Sequence, residues 1–178
     1  MFLYVVLYLL PLALGLSLAI YLPLWISKRG RLPPMQHAAR ILLLCTAMLI
    51  LYITILWYGK VQFVEAKYRF LNLVPFAWIW EPYEMGLQRT TEQLFINVVM
   101  FLPLGILLST VFPALGKFYR TALVCLGCTL AIETVQYFTG RSADIDDVLC
   151  NLSGGMAGYP FYQFLRKNRV LKPLFFAS

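Results

Sequence analysis

The sequence predicts an all-α fold, a bundle of about five helices that cross a membrane. Of its 178 residues, 61% are hydrophobic and 13% are charged, and the mean hydropathy is +0.73. Soluble domains are nearer half apolar and a quarter charged. A chain of this size could not hide that much apolar surface from water, so we expect a single membrane domain, residues 1–178, whose solvent is lipid.

Five apolar runs are long enough to cross a hydrocarbon core of about 30 Å, which takes about 20 helical residues. The predicted spans cover residues 2–26, 41–58, 94–112, 121–138 and 145–165. Between the first two spans, Pro33 and Pro34 are expected to break any helix, and His37 is expected to be solvated there. The pattern Thr90-x-x-Gln93 is typical of a helix start and predicts where the third span begins.

The longest connection, residues 59–93, contains an apolar stretch near residues 70–80. This stretch is too apolar for a free loop and too short to span a bilayer. Non-helical backbone at membrane depth must be buried in protein or face water. We therefore predict an interfacial or re-entrant segment at this position.

Basic residues are distributed unevenly between the two sides of the predicted bundle. Ten of the 15 Lys and Arg residues lie in 27–40, 113–120 and the tail from 166, where no acid occurs, and all 8 acids lie on the other side. The positive-inside rule then places the C-terminus in the cytoplasm and the N-terminus outside. The net charge of +7 is explained by this topology, and we expect no nucleic-acid partner.

Polar side chains from three predicted spans lie at one depth, about 7–9 Å below the outer surface at ~1.5 Å of rise per residue. They are Asn97, Glu133, Gln136, Asp147 and Asn151. Arg141 and Asp144 stand next to them, on the segment that opens the last span. An ionised group near mid-membrane costs on the order of 3 kcal/mol, so such groups normally face the bundle interior and mark a site. We predict one chamber that opens to the exterior.

A purely structural interpretation accounts for the same residues without a ligand. Asn97 and Asn151 would join neighbouring helices, Glu133 would pair with Arg141, and the acids at 144, 146 and 147 would cap a helix. The motif Gly154-x-x-x-Gly158 allows another helix to approach closely, which predicts a homodimer contact as one use of these glycines.

The polar pattern has four parts. They are Asn72-x-x-Pro75-Phe76, Asn97-x-x-x-Phe101-x-Pro103-x-Gly105, Glu133-x-x-Gln136 and Arg141-x-x-Asp144-x-x-Asp147-x-x-x-Asn151-x-x-Gly154-x-x-x-Gly158. Together they resemble the VanZ-like family over about residues 40–165. The family's named member confers low-level resistance to the lipoglycopeptide teicoplanin. The resemblance thus implies a multi-pass protein of a bacterial cell membrane, linked to glycopeptide resistance or envelope lipids, with no assigned reaction or cofactor.

The favoured function is binding of a membrane-anchored ligand: a membrane lipid, a lipid-linked cell-wall precursor or a lipoglycopeptide. Arg141 would contact a carboxylate or phosphate of this ligand bidentately. The other predicted ligand-binding residues are Asn72, Trp78, Trp80, Asn97, Gln136 and Asn151.

Two other functions remain open. In a lipid-modifying enzyme, Glu133 would be a general acid or base, and Asp144 and Asp147 would be further catalytic candidates that could share a divalent cation with it. The sequence offers no usable histidine, no Ser or Cys beside a base and no zinc-site spacing. A transporter or flippase is the third hypothesis, and the lack of a convincing internal repeat argues against it.

Overall fold

Five long helices make up most of the chain that the structure describes. The structure is a computed structural model, and it describes residues 5–28, 31–57, 62–76, 79 and 87–172. The helices are α1 (Leu10–Ser27), α2 (Pro34–Leu51), α3 (Leu87–Val111), α4 (Phe118–Phe138) and α5 (Ile145–Lys167). A π-helical turn, Val5–Leu9, precedes α1, and another, Tyr52–Leu56, extends α2. The all-α fold class is confirmed.

Four of these helical segments are long and apolar enough to cross a membrane. They are Leu7–Ser27, Pro34–Leu56, Thr91–Val111 and Phe118–Phe138. Helix α5 has 23 residues, enough for about 34 Å at ~1.5 Å per residue, but its acidic start and its glycines make it more polar. Its crossing of the membrane and the orientation of the bundle stay predictions.

Two helix starts were predicted too late. Helix α2 begins at Pro34, because proline lacks the N–H that a first helical residue leaves unbonded and its fixed φ suits that position. His37 is therefore helical and buried, and its Nδ1 lies 2.9 Å from the Tyr21 hydroxyl of α1. Helix α3 begins at Leu87, so Thr90 is inside the helix and does not begin it.

Helices α3 and α5 pack backbone to backbone through glycines. A Cβ placed on Gly154 would overlap the carbonyl of Val98, and one on Gly158 would overlap the carbonyl of Leu102. Gly105 of α3 lies equally close to α5. The predicted close helix approach is confirmed, but its partner is α3 of the same chain. The homodimer contact predicted from these glycines stays a prediction.

A short parallel strand pair crosses one end of the bundle. Strand β1 (Leu71–Asn72) pairs with β2 (Ala143–Asp144), with Leu71 opposite Ala143 and Asn72 opposite Asp144. Most apolar side chains of the segment 70–76 are exposed. A surface position at the bundle end suits the interfacial alternative better than the re-entrant one.

Candidate functional site

Four helix ends meet around a polar cavity of about 310 Å³. The cavity lies where α2 and α4 end and where α3 and α5 begin. Its polar walls are formed by Thr54, Glu92, Gln93, Asn97, Glu133, Gln136, Arg141, Asp147 and Asn151. Its apolar walls are formed by Ile53, Trp57, Ile96 and Met100. This volume is at the lower end of the usual range for small-molecule pockets, about 300–1,000 Å³.

Most of the predicted site residues lie at this cavity. Those lining it are Asn97, Glu133, Gln136, Arg141, Asp147 and Asn151. Asn72 and Asp144 lie beside it, and the Asn72 Nδ2 donates a hydrogen bond to Asp144 Oδ2. Trp78 and Trp80 lie outside the described residues, so their stacking role stays a prediction.

Asparagine side chains connect the helices around the cavity. The Asn97 Nδ2 of α3 donates to Asp147 Oδ1 of α5 at 2.8 Å. Deeper, the Asn151 Nδ2 of α5 donates to Thr129 Oγ1 of α4 at 2.9 Å. The structural interpretation is therefore correct to this extent. However, the buried Oδ1 of Asn151 has no donor among the described residues, so this amide retains an acceptor at the cavity wall.

Arg141 reaches the cavity from the turn after α4. Gly140 has a φ of 79°, a left-handed conformation that favours glycine, and the Arg141 N–H donates to the Gln136 carbonyl at 2.9 Å. The Arg141 guanidinium donates to the Thr54 carbonyl. The Gln136 Nε2 donates to the same carbonyl at 3.0 Å. This acceptor lies in the π-helical turn that ends α2, where backbone carbonyls lack the usual intrahelical partners.

Glu133 links α4 to the strand that precedes α5. This carboxyl is buried, and its Oε2 accepts from the Asp144 backbone N–H at 2.9 Å. The side chain borders both the polar cavity and a neighbouring apolar groove. Glu133 thus lies at the boundary between the polar cavity and the apolar groove.

Asp144 and Asp146 hold the segment 71–76 against the start of α5. Asp144 Oδ1 accepts from the Asp146 N–H at 2.9 Å, and Asp144 Oδ2 accepts from Asn72 Nδ2 at 3.1 Å. Asp146 Oδ1 accepts from the Phe76 N–H at 2.8 Å. Both residues therefore stabilise the local structure. Among the three acids at this helix start, only Asp147 lines the cavity.

The hypothesis of a shared divalent cation receives no support from this geometry. The described part of the chain contains no group of three His, Cys, Asp or Glu side chains that could hold a metal ion. Both carboxylate oxygens of Asp144 are engaged by donors of the protein. The carboxyl groups that remain at the cavity are Glu92, Glu133 and Asp147.

Sequence reasoning missed seven residues that line the cavity: Ile53, Thr54, Trp57, Glu92, Gln93, Ile96 and Met100. Because α3 starts at Leu87, Gln93 lies one helical turn before Asn97 on the same face. The i, i+4 spacing of Gln93 and Asn97 could have indicated this shared face, but Gln93 was interpreted as part of a capping box. Thr54 contributes a backbone carbonyl, for which a sequence carries no side-chain signal.

Comparisons with known proteins show the family to which the chain belongs. The family model VanZ/LLP1 matches residues 39–166. Protein VanZ of Enterococcus faecium is 30% identical over 141 residues, which cover 74% of this chain and 81% of that protein. No solved structure matches the chain. The matched region contains α3 and α4 and most of α2 and α5, the helices that border the cavity, and the chain belongs to the VanZ/LLP1 family.

Proposed function

We propose that this chain is a multi-pass protein of a bacterial cell membrane that binds the polar head of a lipid-anchored envelope ligand or lipoglycopeptide. In this proposal the ligand enters the cavity between α2, α3, α4 and α5, and binding supports low-level resistance to teicoplanin. The observation that carries the proposal is the combination of one guanidinium, three carboxyl groups and four amides around a single cavity.

The cavity offers the chemistry that a zwitterionic or sugar-bearing head group would need. Arg141 can engage a carboxylate or phosphate, since guanidinium groups form charge-assisted hydrogen bonds with both. Asp147 and Glu133 suit amines and hydroxyls. The buried Gln136 Oε1 and Asn151 Oδ1 have no donor among the described residues, and unsatisfied buried acceptors are rare and costly, so both suit a ligand donor.

An apolar groove next to the cavity supports a lipid anchor. The groove has a volume of about 360 Å³. Its apolar walls are formed by Leu71, Leu73, Leu130, Tyr137, Phe138, Ala143, Ile145 and Val148. Because Glu133 borders both spaces, a head group in the cavity would be followed directly by apolar contacts. An acyl chain fits this sequence of polar and apolar surfaces.

The size of the cavity limits which part of a ligand can enter. At about 310 Å³, the cavity suits one sugar, phosphate or short peptide terminus. A whole glycopeptide is far larger and would have to lie against the rim, where Trp57 offers an aromatic face. The proposal therefore assigns to the cavity only the terminal group of such a ligand.

Replacing Arg141 tests the proposal in cells. A teicoplanin-susceptible bacterial host expressing the chain should become less susceptible to teicoplanin, and Arg141→Ala should abolish this effect. A lost charge-assisted hydrogen bond is worth about 1.5–3 kcal/mol, or roughly tenfold or more in affinity. The measurement is the minimal inhibitory concentration, normalised to the amount of protein in the membrane.

The matched control is Arg31→Ala, which removes the same charge from an exposed position on the other side of the bundle. Arg141→Lys keeps the charge but lacks the planar fork of donors, and we expect intermediate resistance from it. Full resistance of Arg141→Ala at normal membrane levels would contradict the proposal.

The enzyme alternative is supported by one observation: Glu133 of α4 and Asp147 of α5 bring two carboxyl groups to the same cavity. A general acid or base at Glu133 would modify a lipid-linked precursor. Mass spectrometry of such a precursor incubated with the purified protein separates the two functions. A new product that disappears with Glu133→Gln would favour the enzyme, and an unchanged precursor favours binding.

A further inference from the structure

A second cavity, of about 400 Å³, lies at the opposite end of the bundle. It is formed where α2 begins and where α3 and α5 end. Its walls consist of Leu32, Pro33, Gln36, Arg40, Val111, Pro113, Tyr162, Arg166 and Lys172. None of these residues lines the polar cavity described above, so the two spaces are separate sites.

The charge of this second cavity is entirely positive. Arg40, Arg166 and Lys172 line it, and no acidic side chain of the described residues does. The described acids are Glu65, Glu92, Glu133, Asp144, Asp146 and Asp147, and none of them lines this cavity. Three cations facing one space without a carboxylate are a binding surface for an anion.

Arg40 is the central residue of this surface. It lies in the second turn of α2 and is only half-exposed, and its buried Nε has no acceptor among the described residues. A buried donor without a partner destabilises the fold, and more so when it is charged. The neighbouring Gln36 is held in place, since its Nε2 donates to the Thr110 carbonyl at 2.8 Å. Arg40 thus offers an edge of its guanidinium for which the described residues supply no acceptor.

Helix electrostatics and topology explain only part of this arrangement. Arg166 lies in the last turn of α5, where a cation is favourable next to the helix C-terminus. Basic residues also collect on cytoplasmic connections. The bias toward basic connections includes Arg40, but it does not explain why this arginine is half-buried near the start of α2, where the helix dipole disfavours a cation.

The walls of the cavity indicate an anion that has an apolar neighbour. Leu32, Pro33, Val111 and Pro113 lie beside the three cations. The positive-inside rule predicts that this end of the bundle lies at the cytoplasmic leaflet, whose anionic lipids attract such clusters. We propose that this cavity binds the phosphate of an anionic membrane lipid, with Arg40 as its bidentate contact and Arg166 and Lys172 at its rim.

Lipid binding to the purified full chain in detergent tests this proposal. Phosphatidylglycerol should bind at least tenfold more tightly than phosphatidylcholine by native mass spectrometry, and Arg40→Gln should lose this tenfold preference. Arg120→Gln is the matched control, since Arg120 is an exposed arginine outside the cavity and should keep the preference. If Arg40→Gln does not fold, the double variant Arg166→Gln with Lys172→Gln provides the same test at two exposed positions.

A further arm distinguishes a lipid from a soluble anion. Inorganic phosphate at millimolar concentration should neither raise the thermal midpoint of the protein nor displace phosphatidylglycerol. Displacement by inorganic phosphate would identify a soluble phosphate as the ligand and overturn the assignment to a lipid. Equal binding of the two lipids, or an unchanged preference in both the Arg40 and the double variant, would also overturn it.

Discussion

At the residue scale, the three acids at the start of α5 have three different roles. Asp144 caps the helix and binds Asn72, Asp146 accepts from the Phe76 backbone, and Asp147 faces the cavity. Asp144 and Asp147 are three residues apart, a spacing that puts two helical residues on one face. Asp144 is the N-cap, however, with an extended backbone (φ −128°, ψ 129°), so helical periodicity does not apply to it.

Asparagine at position 144 should therefore keep the cap but lose the bond to Asn72, because Asp144 accepts with both oxygens and an amide has only one. Asn is about as good an N-cap as Asp, whereas loss of the cap to Ala costs about 1 kcal/mol. We expect Asp144→Asn to lower the unfolding midpoint slightly and to keep teicoplanin resistance, and Asp144→Ala to lower the midpoint further. If Asp144→Asn were stable but inactive, the carboxylate would have a chemical role and its assignment as a cap would be wrong.

Other contacts at this scale could not be predicted from residue types. Gln136 and Arg141 both donate to the backbone carbonyl of Thr54, and an acceptor of this kind is present at every residue. His37 was misplaced for a related reason, because its buried position depends on the Tyr21 hydroxyl of another helix. Polar residue types and their spacing indicated which side chains would meet, but the bonds between them depend on tertiary packing.

At the scale of elements, the glycine face of α5 sets the distance between α3 and α5. Gly154 and Gly158 lie against the carbonyls of Val98 and Leu102. The sequence predicted this close approach from the spacing of the glycines. It could not identify the partner helix, because a bare backbone surface fits any helix that offers small residues or exposed carbonyls.

Adding one methyl group should separate these helices. Gly158→Ala would place a Cβ against the backbone of α3, and overpacking of this kind costs about 1–3 kcal/mol. Gly127→Ala is the matched control, since a Cβ there meets nothing within 4 Å. Thermal unfolding in detergent should show a lower midpoint for Gly158→Ala and an unchanged or slightly raised one for Gly127→Ala. Equal midpoints would contradict the packing described for α3 and α5.

At the scale of the whole molecule, the polar chamber follows from a simple height argument. Short connections and a rise of ~1.5 Å per residue were enough to bring Asn97, Glu133 and Asp147 to one level, and the structure places all three at one cavity. The pairing of Leu71–Asn72 with Ala143–Asp144 could not be predicted from helix rise and span positions. Two-residue strands have no sequence periodicity, and this pair depends on side-chain contacts from Asn72 and Asp146.

Accessibility of the chamber from outside the cell is the most direct test of the account. Ile96 lines the cavity, and Ile96→Cys is made in a variant whose four native cysteines are replaced. The measurement is the extent to which this cysteine reacts with a small membrane-impermeant thiol reagent. The account predicts labelling in intact cells, slower labelling when teicoplanin is present, and labelling of a Lys117→Cys control only after permeabilisation. Labelling of Ile96→Cys that requires permeabilised cells would contradict an outward-facing chamber and the binding function assigned to it.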